Sequence, residues 1–211
     1  VATMTEPLSD LDMPKGFPLH IHQALKSWHK QHADGVLDTL LLARQMRAKR
    51  DTASLRLVSN QILIEGLDHL EHINPEAFDL LQRRFLNKET AREIAYRFNL
   101  GEDVIYQRQR IAIEQLSQAI WQQEIELRRC HAQRIIARLE PSTYTRLFGV
   151  VEVIAQVREK LENSTAPWIL TLEGMGGIGK TSRADALARD LAYSVHFQNI
   201  AWVSARQRLF R

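Results

Sequence analysis

Gly174-Met175-Gly176-Gly177-Ile178-Gly179-Lys180-Thr181 decides how the rest of this 211-residue sequence is read. The stretch satisfies the spacing G-x-x-x-x-G-K-[ST] in full. Before it runs Trp168-Ile169-Leu170-Thr171-Leu172, whose apolar character predicts a buried strand; after it, residues 182–191 predict a helix. Glycines let the backbone turn so that successive N–H groups face one anionic centre, and the helix N-terminus adds the positive end of its dipole. Lys180 is placed to reach the β- and γ-phosphates of a nucleoside triphosphate. The Thr181 hydroxyl is placed to hold Mg²⁺, with Ser182 next in the same turn. A glycine turn that binds nothing is the competing reading, and the strand-loop-helix context stands against it.

The residues around this loop narrow the expectation. With Glu173 before it, the loop resembles that of the NB-ARC branch of the STAND signalling NTPases. Upstream, Tyr144-Thr145-Arg146-Leu147-Phe148-Gly149-Val150-Val151-Glu152 is similar to that family's hydrophobic-hydrophobic-Gly-Arg-Glu segment. There the resemblance implies that Leu147, Phe148 and Gly149 line an adenine pocket. Val150 stands where the family usually has Arg, so a polar contact from that side chain is lost or moved. Downstream, Phe197-Gln198-Asn199-Ile200-Ala201-Trp202-Val203-Ser204 looks like the family's second strand, over Ile200 to Val203. The resemblance covers about residues 141 to 205. It implies ATP or ADP as ligand, Mg²⁺ as its ion, and self-oligomerisation when the switch is activated.

The family's acidic Mg²⁺- and water-positioning segment lies further along, and no apolar strand ending in Asp-Asp or Asp-Glu follows Val203. Two strands do not make a parallel NTPase sheet. The expectation is therefore the first part of an α/β P-loop NTPase domain, incomplete in this chain. A longer parent would be a slow ATPase at most, and these residues alone would not turn ATP over.

Charged residues at 25 % and apolar ones at 45 % fit a globular protein of one or two domains, and a net charge of +3 decides nothing by itself. With Cys130 alone, no internal disulfide forms; a reducing, cytoplasmic location is expected, and Cys130 reads as an inert helical thiol. No apolar run reaches the length of a membrane span, and no basic-then-apolar leader opens the sequence. His20, His22, His29 and His32 match no compact ligand spacing and read as solvated.

Ahead of the NTPase part the chain reads as an all-α module. Residues 1–17 form an aperiodic lead-in expected to be mobile, and 18–120 a helical module. Val36, Leu37, Leu40, Leu41 and Met46 give one apolar stripe; Leu55, Val58, Ile62, Leu63, Leu67 and Leu70 give another. Asn74 caps a helix with Pro75 at its first position, which carries Phe78, Leu81, Phe85 and Leu86. Residues 121–140 read as a charged linker helix, from about Trp121 to Leu139, and 141–211 as the NTPase part.

Residues 75–120 read as a helix-turn-helix. Glu89 to Phe98 forms its first helix with Ile94, Ala95 and Phe98 inward. Asn99-Leu100-Gly101 makes the turn, Asn99 left-handed and Leu100 plugging the core. The second helix begins at Glu102. The string resembles region 4 of bacterial sigma-70-type factors, a resemblance that implies major-groove entry by that second helix. If Ile105, Ala112 and Leu116 face the core, then Tyr106, Gln107 and Arg110 project together, beside Arg108, as base and phosphate contacts. Arg83, Arg84, Lys88, Arg92 and Arg97 would meet flanking phosphates of duplex DNA. Glu89, Glu93, Glu102 and Asp103 dilute that field. Two outputs stay open: a transcriptional regulator whose module contacts DNA, or a defence or signalling NTPase whose module is an oligomerisation adaptor without DNA contact.

Overall fold

The computed structural model describes residues 12–30, 37–49, 55–163, 169–194 and 196–204. Eight α-helices occur among them: α1 (Phe17–Lys26), α2 (Leu41–Lys49), α3 (Leu55–Ile73), α4 (Pro75–Leu81), α5 (Ala91–Phe98), α6 (Glu102–Ile136), α7 (Val151–Glu162) and α8 (Lys180–Tyr193). The chain divides into two compact units, one from Asp12 to Leu127 and one from Arg128 onward. The expected mobile lead-in lies mostly outside the described residues, as do Val36, His32 and Trp168.

In the first unit, α1 and α2 pack on α3, and α3 on α4. The apolar periodicity accounts for this. On α1, Phe17, Ile21, Ala24 and Leu25 are buried; on α3, Val58, Ile62, Leu63, Leu67 and Leu70 are buried. Leu55, expected in that stripe, is instead 43 % exposed at the helix start. Gly66 marks a close approach of α3 and α6: a Cβ there would lie 2.5 Å from Ile120 Cγ1. The Phe17 ring meets Trp121 edge-on at 5.3 Å between centroids. Glu124, fully buried, accepts the N–H groups of Leu41 and Leu42, both at 3.0 Å, and so caps α2 from a distant helix.

Asn74 caps α4 by accepting from the Ala77 N–H, with Pro75 leading the helix. That helix then widens into a five-residue π turn, Gln82–Leu86, which apolar spacing does not reveal.

Two expectations are overturned here. Trp121–Leu139 is not a separate linker helix; α6 runs unbroken from Glu102 to Ile136, with no Gly or Pro to stop it, and buries Trp121 and Ile125 as core. The strands expected at 168–172 and 200–203 do not form among the described residues. Ile169 is 84 % and Val203 92 % exposed. A strand needs a ladder partner for its N–H and C=O groups and cover for its apolar faces, and the two segments do not pair.

The second unit has two small cores. Ala132 and Ile135 of α6 pack with Ala192 of α8, flanked by Ile136, Tyr193 and Ile200. Val150, Ile154 of α7 and Ala186 of α8 form the other, with Tyr144, Leu147 and Leu187 against it.

Candidate nucleotide site and helical interface

The glycines of the 174–181 loop divide into two kinds. Gly174, Gly177 and Gly179 have φ of 148°, 79° and 88°, a region in which a side chain is strained. Gly176 has no such φ and no atom within 4 Å of a Cβ built on it. Nothing in the described fold asks for glycine at Gly176. Gly179 caps α8, and the first intrahelical bond runs from the Arg183 N–H to Gly179 O at 2.9 Å. The N–H groups of Lys180, Thr181 and Ser182 precede it and face the helix N-terminal pole, an anion-favouring position.

Lys180 Nζ folds over the loop, donating to Gly174 O and Met175 O, each at 2.8 Å. Its cation is thus held over the turn. Met175 and Ile178 project outward at 79 % and 49 % exposure, Thr181 is exposed and Ser182 half-buried. Thr181 supplies a hard oxygen suited to Mg²⁺. Among the described residues there is no group of three or more His, Cys, Asp or Glu side chains placed to hold a metal ion. The residues present thus fit a phosphate chain, with one oxygen ligand for its cation.

The segment expected to line adenine is tied to the same helix. Leu147 packs on the Val150–Ile154–Ala186 core, whereas Phe148 is 74 % exposed beneath the Arg146 guanidinium, 4.8 Å from its ring centre. Gly149 turns the chain into α7 at φ 63°. Val150, in the position of the family's Arg, is 4 % exposed and serves as core.

A polar network secures this arrangement. Tyr144 Oη donates to Asp185 Oδ2 at 2.8 Å, and Arg189 donates to both Asp185 oxygens (2.8 and 3.1 Å) and to Glu140 O at 2.6 Å. Burial, then the bond to Asp185, pushes the Tyr144 hydroxyl up to about 12, and the same carboxylate raises Arg189. Arg158 of α7 pairs with Asp190 of α8 at 3.3 Å and with Glu162 at 3.0 Å. Segment 140–150 is thereby fastened to α8, the helix that the glycine loop caps. The Asp185–Arg189 spacing of four is legible in a sequence; the Tyr144 partner, 41 positions away, is not.

The helix-turn-helix region has clear local causes. Thr90 and Glu93 form a capping box, Thr90 Oγ1 accepting from Glu93 N at 3.2 Å while the Glu93 carboxylate accepts from Thr90 N at 2.6 Å. The Thr90 N–H, and then its hydroxyl, both donating to the carboxylate, lower the Glu93 pKa. The first helix consequently starts at Ala91, two residues after the expected Glu89. Asn99 is left-handed (φ 53°), and Leu100 packs against Leu80, Ala91, Ile94, Ala95 and Ile105. Phe98, expected inward, is 47 % exposed because the chain leaves the helix there.

On α6, Ile105, Ala112 and Leu116 are buried while Tyr106, Gln107, Arg108 and Arg110 are exposed; Gln109 between them is buried. The flanking cations are not brought together as a free set. Arg83 is paired with Asp79 (2.8 Å) and Glu89 (3.4 Å), and Arg97 with Glu89 (3.4 Å). Arg84 donates to Glu89 O at 3.0 Å and turns into a cleft with His22. Arg92 and Lys88 remain exposed. Arg108 borders a cleft of about 300 Å³ that also holds Glu76 and Asp79. His22 is half-buried with its ring edge-on to Phe85 at 5.7 Å, not solvated as expected.

Residues 151–210 match the family model of the NB-ARC domain. Neither the curated proteins nor the solved structures yield a match to this chain. The glycine loop and α8 lie inside the matched span, and the Leu147–Gly149 segment immediately before it. The match supports an NB-ARC or STAND NTPase part and nucleotide binding. No helix among the described residues is long and apolar enough to cross a membrane.

Proposed function

We propose that this chain is a nucleotide switch of the cytoplasm that binds ATP or ADP, with Mg²⁺, through Gly174–Thr181. One observation carries the reading: a glycine loop with three left-handed positions and one otherwise unexplained glycine caps α8, with Lys180 held over it by two carbonyls. The loop N–H groups and Lys180 take the phosphate chain, Thr181 ligates the Mg²⁺ that neutralises it, and Leu147, Phe148 and Gly149 offer backbone and apolar surface to the base. A switch follows when contacts to the γ-phosphate differ between two states of the protein, since a nucleotide bound equally by both shifts nothing. Calorimetry of ATP and ADP against the chain and its Lys180→Ala variant tests this. The variant should lose roughly 1.5–3 kcal/mol of affinity, the range for hydrogen bonds to a charged group. Equal affinities would end the assignment.

The output proposed for the helical module is duplex DNA contact and transcription regulation. What supports it is the joint exposure of Tyr106, Gln107, Arg108 and Arg110 at the start of α6, with Arg92 exposed nearby. Arg110→Ala or Gln107→Ala should cost about 1–3 kcal/mol at one base position. Arg92→Ala should weaken all sequences alike and lower the salt slope by about one. The second reading, an adaptor that self-associates without DNA, is favoured by the commitment of Arg83 and Arg97 to acids and by the exposure of Tyr96 (90 %), Phe98 and Ile111. Gel shifts at two salt concentrations, with light scattering on the same protein, separate them. Oligomers that grow with concentration, and no DNA retention at low salt, decide for the adaptor.

A further inference from the structure

A second cleft, of about 520 Å³, lies wholly within the Asp12–Leu127 unit, between α1, the π turn and the first turns of α6. Its volume falls in the range of small-molecule sites. His22 and Lys26 of α1, Arg84 and Lys88 at the π turn, and Gln109 of α6 line it, and among the described residues its lining includes no Asp or Glu. Converging cations without a carboxylate repel one another, and an anion is the group that relieves them.

Three buried polar atoms at this cleft have no hydrogen-bond partner among the described residues: His22 Nε2, Arg84 Nε and Gln109 Oε1. Gln109 is itself 91 % buried, being 9 % exposed. Buried polar groups are satisfied in folded proteins, so orphans that share one cavity point to what the cavity takes. Arg84 Nε–H, the Lys26 and Lys88 ammonium groups and the Gln109 amide are donors suited to phosphate oxygens. Gln109 Oε1 is an acceptor, which a phosphate dianion cannot satisfy and a neighbouring hydroxyl can.

The backbone around the cleft is also out of the ordinary. Arg84 and Phe85 sit in the π turn, a form that recurs at functional sites, and Lys88 just beyond it has φ 60°, a conformation costly for a long side chain. The His22 pKa is lowered by burial first and then by Lys26 and Arg84. The ring therefore responds to any anion that enters.

We propose that this cleft binds a phosphate monoester of a small polyhydroxylated molecule, with Arg84, Lys26 and Lys88 on the phosphate and Gln109 on a hydroxyl. It is a site separate from the glycine loop and does not rest on the nucleotide reading. The ligand would couple a metabolite to the helical module, because the cleft joins α1 to the start of α6.

The test is nuclear magnetic resonance of the whole chain, following the His22 ring signals while ribose 5-phosphate, adenosine monophosphate, inorganic phosphate or ribose is added. Ribose 5-phosphate should move those signals saturably and raise the His22 pKa, with Lys26, Lys88, Arg84, His29 and Tyr106 the charged and titratable groups that line the same cleft. Inorganic phosphate should bind about tenfold more weakly for want of the hydroxyl, and ribose should leave the ring unmoved. Adenosine monophosphate binding as well as ribose 5-phosphate assigns a nucleotide source, and weaker binding assigns a free sugar phosphate. Lys26→Met and Lys88→Met, both exposed and so expected to fold, should each weaken ribose 5-phosphate about tenfold. Arg84→Met should weaken it further, with the circular dichroism spectrum retained. His22 signals that stay fixed while glycine-loop amides move would overturn the proposal. So would movement by duplex DNA alone, or inorganic phosphate binding as tightly as the monoester.

Discussion

The largest fully buried side chains among the described residues, from Ile21 through Leu63 and Leu81 to Ile120, all belong to the Asp12–Leu127 unit. From Arg128 onward the buried apolar residues are fewer and smaller: Ala132, Ala186, Ala188 and Ala192, with Ile135, Leu139, Val150, Ile154 and Leu191. There a polar network centred on Asp185 supplements the packing, and Phe148, Ile169, Met175 and Val203 stand exposed. Helices satisfy their own backbone and need neighbours only for one apolar stripe. An extended apolar segment without a ladder partner or a covering layer leaves its side chains exposed, as at Ile169 and Val203. The comparison predicts that side-chain packing dominates one unit and polar fastening the other.

The strongest way to break that comparison is a matched pair of truncations. Leu116→Ala, at a fully buried position of α6, should cost about 2–5 kcal/mol, and Leu191→Ala, at 7 % exposure against small neighbours, clearly less. Amide hydrogen exchange read unit by unit measures both, and avoids assuming one cooperative transition. Equal losses would mean that the second unit has a core as demanding as the first.

Thr90→Ala sharpens the local side of the argument. It removes the cap on α5, including the 3.2 Å bond from Glu93 N, and should cost about 1 kcal/mol, confined to the first unit. The variant keeps the Thr90 N–H, the main group holding Glu93 low, but loses the hydroxyl that donates to the same carboxylate at 2.9 Å, so a partial rise of the Glu93 pKa is the accompanying signal.

The smallest effect tests the fastening. Tyr144→Phe deletes the 2.8 Å bond to Asp185 and should cost roughly 0.5–1.5 kcal/mol in the second unit alone. Its pH signature has a definite sign. The hydroxyl is raised from 10.0 to about 12, so its stabilisation is complete below pH 10 and is lost as pH climbs through about 12. The Phe variant should lack that alkaline component; an unchanged alkaline profile would remove Tyr144 from the account.

Residue pattern alone determined the helical stripes of α1 and α3, the Asn74-Pro75 start of α4, the left-handed Asn99, the inward set Ile105, Ala112 and Leu116, and the loop that caps α8. All of these depend on residues within a few positions of one another: a period of 3.6, a cap, a glycine conformation. Tertiary structure alone decided that Glu124 caps α2, that Tyr144 locks onto Asp185 and that Val150 is core. It also decided that 169–172 and 200–203 stay unpaired among the described residues, and that His22, Arg84 and Gln109 meet at one cleft. Periodicity and caps act within one or two helical turns. A buried carboxylate, a strand's partner or a converging set of donors is settled by groups tens of residues away, whose meeting no local rule encodes.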